Sequence, residues 1–486
     1  MEPRIVQISL CVRIAIAILT RTVFQPDEYF QSLEPAFHLV FGYGHLTWEW
    51  LSENPIRSII YPALNVPIYW LLKVTGLSFT GQLGDLLLIL LPKALHGAFA
   101  AATDIWLCEL ARVTLGNDYV STVHMLSLSS MFHALALSRS LSNSLETSLS
   151  TIAFAYYPWD ASSKLSPQVL YNKYERNIPA LLPTKQANRQ RLRKTLIFSA
   201  LACMIRPTNA VIWVLLYLNL ILSLRRYRRI ITSIISEAFL IALGAIGVLF
   251  ILDSLYYKRP IFTPYNFLKT NLSSVSLFYG SNPWHYYLTQ ALPILCTTAL
   301  PFTLHGMYTT VSNRQKGSGA GLSNMLLVTV CQQPQSVGFL MPCHSTPGQA
   351  YLHRPTWEVW SLGCEPPLRG QNLSEYRDQT DLFFDDPLSY INTVFPNTVN
   401  PEFPRSSYPA SLPGTKPQIN SGEVALYPWK HEWPRHLVFF GVLLKREGVR
   451  EALEEKGYAQ VWKGGREWEG EGERKGGVQI WSWQDQ

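Results

Sequence analysis

The 486-residue chain has few charged residues and lacks the motifs of common nucleotide- and metal-binding proteins. Charged side chains make up 15% of the sequence, whereas apolar ones make up 48% and are gathered into long runs. There is no GxxxxGK or GxGxxG stretch, which excludes the usual phosphate-cradling loops. No set of Cys and His residues has the spacing of metal ligands, so neither a metal nor a cofactor is expected. Long apolar runs with little charge are typical of a membrane protein.

The apolar runs predict a mainly α fold with about eight membrane spans or re-entrant segments. An α-helix rises about 1.5 Å per residue, so roughly 20 residues cross ~30 Å of hydrocarbon. The first run, residues 5–24, lies where a cleaved signal peptide would stand, but no small-x-small cleavage site follows it. The other runs cover residues 59–77, 86–110, 119–138, 145–157, 196–222, 230–252 and 286–305.

Basic clusters and one glycosylation sequon predict the topology of these spans. The positive-inside rule places RRYRR, residues 225–229, in the cytosol. The following loop, residues 253–285, then lies in the lumen, where its sequon at Asn271 would be accessible. An odd number of crossings between Ser58 and Arg225 places the loop at residues 24–58 in the lumen as well. The net charge of +7 therefore reflects topology rather than nucleic-acid binding.

The membrane domain is predicted to end near residue 305. Residues 306–331, which include NRQKGSGAG, form a polar linker, and residues 332–486 form a soluble tail with strands and a short helix. A second sequon at Asn372 and a Cys343–Cys364 disulfide, if formed, favour a lumenal tail. If the last apolar run, residues 286–305, crosses the membrane, the chain after it begins in the cytosol instead. We therefore expect either a cytosolic tail or hydrophobic sequence missing near the linker.

The first loop joins two adjacent carboxylates to many aromatic rings, in the stretch FQPDEYFQSLEPAFHLVFGYGHLTWEW. Asp27 and Glu28 are the candidate catalytic residues, because desolvation beside a bilayer raises a carboxylate pKa and suits it to take a proton from a hydroxyl. Neighbouring residues point in different directions, so the two acids should have different roles. The residues alone leave open which one is the base.

Candidate substrate-binding residues come from this loop and from two later stretches. Aromatic faces beside polar groups suit a sugar, although an interfacial aromatic belt produces the same pattern. Positive charge would stabilise the phosphate of a lipid-linked leaving group, and an arginine inside an apolar run needs an anionic partner or water. The candidates are Gln31, Tyr43, His45, Trp48, Glu49, Trp50, Arg57, Arg206, Trp284 and His285.

Several long strings resemble a known enzyme family. PDEYFQSLE with FGYGHLTWEW, IRPT, YGSNPWHYY, DQTDLFFDDPLSYI and YPWKHEWPRHLVFF are similar to the endoplasmic-reticulum mannosyltransferases that use dolichyl-phosphate mannose, above all to their GPI mannosyltransferase III branch. The resemblance implies a multi-pass membrane helix bundle of the GT-C type, with its acidic site in the first lumenal loop.

The activity that this resemblance implies is transfer of the third mannose of the glycosylphosphatidylinositol (GPI) core. The partners would be the lipid-linked donor and a GPI-precursor acceptor, without a cofactor. An inverting single displacement would form an α1,2 linkage and needs one well-placed carboxylate. The resemblance favours Asp27 as the base, with Glu28 assisting.

The sequence departs from the family in the same region where the predicted topology is inconsistent, between the last apolar run and the tail. The family's late HKE-type motif and further spans do not occur between YGSNPWHYY and the tail, so late helices are expected to be missing, and an inactive truncated paralogue is one alternative. A sibling enzyme of N-glycan precursor assembly is another. A lipid or solute transporter is the third, although its coupling carboxylates would be expected near the bilayer midplane.

Overall fold

The computed structural model describes two compact units, one helical and one mixed. It describes residues 2–159, 186–225, 227–273, 336–367, 376–404 and 430–484, together with residues 275, 283, 285, 286, 289, 290 and 406. In this described part, the helical unit contains residues 2–36 and 58–264 and the few described residues near 285. The loop–tail unit contains residues 37–57, 265–273 and 336–484.

Most of the described chain is helical. Short π-helical turns also occur at Tyr29–Leu33 and His133–Leu137. In chain order the α-helices are α1 (Pro3–Leu19), α2 (Glu34–Phe41), α3 (Trp48–Leu51), α4 (Ile60–Ala63), α5 (Val66–Val74), α6 (Gln82–Thr114), α7 (Val120–Ser129), α8 (Ser142–Tyr156), α9 (Gln186–Ile205), α10 (Ala210–Ser223), α11 (Arg228–Tyr257), α12 (Thr263–Asn271), α13 (Gln349–Leu352), α14 (Gln379–Asp385), α15 (Pro387–Val394) and α16 (Val449–Glu455).

The prediction of about eight spans is confirmed only in part. Among the described residues, two helices, α6 and α11, are long and apolar enough to cross a membrane. The predicted run at 196–222 is divided at Pro207, where Arg206 is extended, because proline lacks an N–H and disfavours helix in the residue before it. The runs at 5–24 and 145–157 form helices of 17 and 15 residues. Most of the run at 286–305 lies outside the described residues.

A buried ion pair ties the first helices of the helical unit together. Arg13 of α1 and Asp104 of α6 are both fully buried, and their side chains meet at 2.7 and 2.8 Å. Ser127 of α7 joins them, since its carbonyl accepts from Arg13 at 2.8 Å and its hydroxyl donates to Asp104 at 2.6 Å. A buried charge without a partner costs several kcal/mol, so this network fixes how α1, α6 and α7 pack.

Asp253 connects the end of the first loop to the end of α11. Its Oδ1 accepts from the Ser58 hydroxyl at 2.8 Å and from the Ile59 amide at 3.0 Å, and its Oδ2 accepts from the Thr263 hydroxyl at 2.6 Å. The chain therefore leaves the first loop and leaves α11 at the same end of the helical unit. The predicted topology requires this arrangement, because it places both loops on one side of the membrane.

The loop–tail unit contains a five-stranded sheet in the order β2-β1-β3-β5-β4. The β1 strand pairs in parallel with β2 and β3, whereas the pairs β3–β5 and β5–β4 are antiparallel. Three tail stretches predict these elements: VREALEEKG forms α16 and GGVQIWSW forms a strand from Val478, whereas YLHRPTWEVW, also predicted as a strand, is one only from Glu358, because its first residues belong to α13. The strands are β1 (Ser336–Leu340), β2 (Glu358–Ser361), β3 (His436–Phe440), β4 (Tyr458–Gly464) and β5 (Val478–Trp483).

A polar cluster in the tail core brings its two family-like strings together. Gln379 donates to the Tyr390 hydroxyl at 2.9 Å and lies 2.8 Å from His431 Nε2. Its Oε1 accepts from the Gly363 amide at 2.7 Å. His431 also stacks on Trp360, with ring centroids 4.3 Å apart. All of these groups are buried or partly buried, so the described residues of the two strings contribute to packing of the tail core.

The second half of the first loop packs within the same unit as the tail. The Phe37 ring lies 5.6 Å from the His353 ring and stacks on Phe41 at 4.5 Å. The Asn266 side chain donates to the Pro55 carbonyl at 3.1 Å. Residues 37–57 and the tail thus pack against each other within one unit, whereas the side of the membrane on which the tail lies stays a prediction.

Candidate active site

Asp27 and Glu28 lie in the first turn of the helix that continues through Tyr29–Leu33 into α2. Pro26 precedes this turn, and its carbonyl accepts from the Tyr29 amide at 3.0 Å and from the Phe30 amide at 3.1 Å. The two carboxylates have different surroundings: Asp27 is partly exposed, whereas only 4% of Glu28 is exposed. The two adjacent acids therefore differ in exposure, and the different roles predicted for them would be compatible with that difference.

Glu28 holds the chain that leads into this helix. Its Oε1 accepts from the Phe24 amide at 2.6 Å and from the Gln25 amide at 3.1 Å. The Arg139 guanidinium lies 3.4 Å from each carboxylate oxygen. Burial raises the pKa of Glu28, and Arg139 and the two amides partly oppose that rise.

This geometry favours Asp27 over Glu28 as the group that meets a substrate hydroxyl. A general base must come within hydrogen-bond distance of the proton that it removes. Glu28 is buried and already accepts two backbone hydrogen bonds, whereas part of the Asp27 side chain is open to solvent. Gln31, another candidate, is buried in the π-helical turn, a rare element that often occurs at functional sites.

Arg206 has the anionic partner that an arginine in an apolar run needs. Its Nε lies 3.1 Å from Glu146 of α8, and its Nη1 donates to Asn143 at 2.9 Å. Asn209 also donates to Glu146, at 2.7 Å. About a quarter of the Arg206 side chain stays exposed. A lipid phosphate that bound Arg206 would compete with the Glu146 carboxylate for its guanidinium group.

The remaining first-loop candidates belong to the loop–tail unit. Arg57 donates to Glu49 through Nε at 2.9 Å and through Nη2 at 2.7 Å, so these two candidates form one ion pair. Trp48 and Trp50 are 8% and 4% exposed. Their rings therefore offer little surface to a sugar, and their main contribution in this structure is to packing.

Tyr43 and His45 are the partly exposed ring-bearing candidates of this loop. The Tyr43 ring meets the Phe37 ring edge-on at 5.2 Å. Burial, and then the neighbouring His344 of the tail, lower the pKa of His45 to about 4, so its imidazole is neutral near pH 7. A neutral imidazole both donates and accepts a hydrogen bond, which suits a sugar hydroxyl.

The later candidates are described only in part. His285 is exposed, and Trp284 lies outside the described residues. Asn271 is exposed at the end of α12, as a glycosylation site requires, whereas Asn372 also lies outside the described residues.

Sequence reasoning missed the basic residues that contact the first loop. Arg139 follows the apolar run at 119–138, and Lys93 lies inside the run at 86–110, where its Nζ donates to the Thr20 carbonyl at 2.7 Å. Charged side chains within or beside apolar runs mark functional sites by default. The reasoning applied to Arg206 would have selected both.

One cluster in the described residues has metal-ligand spacing. The ligand atoms of Cys343, His344 and Cys364 lie within 4.8 Å of one another. The two sulfurs form the predicted disulfide, so neither is available as a thiolate ligand.

Sequence comparisons give this chain a family and close relatives. The Alg9-like mannosyltransferase family matches residues 4–333. The chain is 32% identical to a protein of Yarrowia lipolytica named GPI mannosyltransferase 3, with 80% of this chain and 82% of the relative covered. It is 30% identical to a protein of Danio rerio named GPI alpha-1,2-mannosyltransferase 3, with 79% and 78% covered. No solved structure matches.

A further alignment shows that relatives contain internal segments that this chain lacks. The chain is 27% identical to the Aspergillus fumigatus protein named GPI mannosyltransferase 3, over 598 aligned positions that cover 96% of this chain and 76% of the relative. Because the chain has only 486 residues, at least 112 of those positions have no counterpart in it. The expectation that helices in particular are missing stays a prediction, because the alignment counts positions and not helices.

Proposed function

The chain belongs to the Alg9-like mannosyltransferase family, and we propose that it transfers mannose from dolichyl-phosphate mannose to the second mannose of a GPI precursor. The observation that supports this acceptor is similarity over about 80% of the chain, tail included, to proteins named for GPI mannosyl transfer. The arrangement of Asp27 and Glu28 supports the chemistry.

In the proposed reaction Asp27 is the base. Its carboxylate takes the proton of the acceptor 2-hydroxyl while that oxygen attacks the anomeric carbon of the β-linked donor. The bond from that carbon to the phosphate oxygen breaks, and dolichyl phosphate leaves with the bonding electron pair. A single displacement inverts the anomeric centre and gives the α1,2 linkage without a sugar–enzyme intermediate.

We place the Asp27 loop in the lumen of the endoplasmic reticulum. Residues 37–57, which follow the Asp27 segment in the first loop, share one unit with the tail, and the tail contains the Cys343–Cys364 disulfide. Disulfides persist in the oxidising lumen and are rare in the cytosol. A test is the mass of the Asn271→Gln variant: loss of one N-glycan supports the lumenal placement, whereas an unglycosylated Asn271 in the parent chain counts against it.

Rescue of a cell that lacks GPI mannosyltransferase III tests the function. Four chains are compared by surface GPI-anchored protein: the 486-residue chain, Asp27→Asn, the matched control Asp118→Asn at an exposed acid far along the chain, and a form that restores the segments present in the Yarrowia lipolytica relative. Rescue by the first and third chains but not by Asp27→Asn supports the proposal.

The other outcomes separate the alternatives. Rescue by the restored form alone would keep the family assignment and show that the 486-residue chain lacks segments that activity requires, as an inactive truncated paralogue would. In a cell that lacks this chain, accumulation of dolichol-linked glycans in place of GPI precursors would indicate the N-glycan sibling. No rescue by any of the chains would overturn the proposed acceptor.

A further inference from the structure

Arg139 contacts the chain just before Asp27. Its Nη2 donates to the Thr22 hydroxyl at 2.7 Å, its Nη1 donates to the Thr22 carbonyl, and its guanidinium lies 6.0 Å from the Phe24 ring. Its own Nε donates to the Leu135 carbonyl at 2.9 Å, which fixes the guanidinium relative to the π-helical turn that precedes it. The side chain is only 7% exposed.

The same segment also contacts the chain just after Asp27. The Ser140 hydroxyl donates to the Glu28 carbonyl at 2.7 Å. Arg139 and Ser140 therefore hold the first loop on both sides of Asp27, at Thr22 and at Glu28, although more than 100 residues separate them in sequence. Thr22, Glu28, Arg139 and Ser140 are called the Asp27 clamp.

The charge of Glu28 matters to this clamp. One carboxylate oxygen accepts both the Phe24 and the Gln25 amides, and an ionised acceptor binds amides more strongly than a neutral one. Burial favours the neutral acid, and Arg139 is the largest influence that opposes it. Without Arg139, Glu28 would take up a proton more readily and weaken its hold on the chain before Asp27.

We infer that Arg139 is a positioning residue, which together with Ser140 and the Glu28 carboxylate holds the chain on both sides of Asp27 and so keeps Asp27 in its reactive place. This inference rests on the proposed function, in which Asp27 is the base. Arg139 need not touch either substrate, since its effect passes through Glu28 and through the backbone at Thr22.

The surroundings of Glu28 predict a pH signature for loss of Arg139. Loss of Arg139 favours the neutral form of Glu28 and a rise in pH favours the ionised form, so alkaline conditions should restore part of the Glu28 charge that Arg139→Met takes away. Lys93 also favours the ionised form but donates to Thr20 rather than to Glu28. In the part of the chain that the structure describes, the charged and titratable groups that interact with Glu28 are Arg139, Lys93 and Tyr61.

The experiment measures mannosyl transfer in membranes between pH 6 and pH 9, with whichever form of the chain rescues the deficient cell. Arg139→Met should lower kcat about 10- to 100-fold at pH 7, because a base displaced by about 1 Å loses that much rate. KM for both substrates should change little. Raising the pH should recover part of the loss, and Arg139→Lys should lose less.

Glu28→Gln provides the matched control, because a glutamine cannot ionise. Adding Arg139→Met to Glu28→Gln should cost less rate than Arg139→Met costs in the parent chain, because only the Thr22 contacts remain to be lost, and should show no alkaline recovery. The inference would be overturned if the losses of rate from Arg139→Met and Glu28→Gln were additive. It would also be overturned if the pH profiles of Arg139→Met and the parent chain ran parallel. If Asp27→Asn retains full activity, the proposed function fails instead, and that result is separate from the Arg139 comparison.

A second measurement does not depend on activity. Asp27→Cys, labelled with a membrane-impermeant maleimide and quantified by mass spectrometry, reports how accessible this position is. The ratio of labelling rates with and without Arg139→Met should exceed one near pH 6.5 and return towards one at pH 9. A ratio that does not change with pH would contradict a role through Glu28.

Discussion

The sharpest prediction concerns the unequal roles of Asp27 and Glu28. Asp27→Asn keeps the size of the side chain but removes the base, and a positioned base contributes about 10²- to 10⁴-fold to rate. We expect kcat to fall by that amount with little change in KM. Glu28→Gln instead retains an oxygen that the Phe24 and Gln25 amides can reach, so its effect should be smaller.

The size of the Glu28→Gln effect follows from its two amide contacts at 2.6 and 3.1 Å. A hydrogen bond to a charged group is worth about 1 kcal/mol more than one to a neutral group, so the loop loses about 2 kcal/mol of stabilisation. That corresponds to about a 30-fold fall in the population with Asp27 in place. The assay is transfer of radiolabelled mannose from dolichyl-phosphate mannose in microsomes. A Glu28→Gln loss greater than that of Asp27→Asn would refute this division of roles.

Three further predictions concern stability. Replacing Cys343 and Cys364 by serine opens a loop of 21 residues and should cost about 3 kcal/mol of unfolding free energy, seen as faster proteolysis of the tail. Burial lowers the pKa of His431 to about 3, so the folded state binds fewer protons than the unfolded state. The free energy of unfolding should therefore fall as the pH drops from about 6.5. Thermal unfolding at pH 7 and pH 5 checks this prediction, and equal midpoints would contradict it. Asp104→Asn leaves the charge of Arg13 buried and should cost about 3–5 kcal/mol, whereas the pair Asp104→Leu with Arg13→Met should cost much less in detergent unfolding.

Elements that depend on a few neighbouring residues could be predicted from the sequence. Helix α16 follows from a helix-forming stretch that ends at Gly457, whereas the run at 196–222 was predicted as one segment although a single proline divides it. The Cys343–Cys364 pair was predictable because few cysteines lie near the tail. The resemblance identified Asp27 and Glu28 from a long string rather than from their chemistry alone.

The features that were missed depend on contacts between distant parts of the chain. Arg139 lies 111 residues from Glu28, and no spacing rule connects them. Trp48 and Trp50 suggested exposed sugar platforms, yet they are buried, because residues 37–57 pack in one unit with the tail. Burial of a ring in a loop is set by what packs against it, which a single stretch of sequence does not contain.

The buried pair of Arg13 and Asp104 also has a consequence for how the chain is made. The two residues are 91 positions apart. At a synthesis rate of about 5–20 residues per second, α1 leaves the ribosome roughly 5 to 20 s before α6 can neutralise its arginine. During that interval α1 carries an unpaired charge that opposes its entry into lipid. Helix α1 is therefore expected to reach its final position late, held at the insertion machinery until α6 has been synthesised.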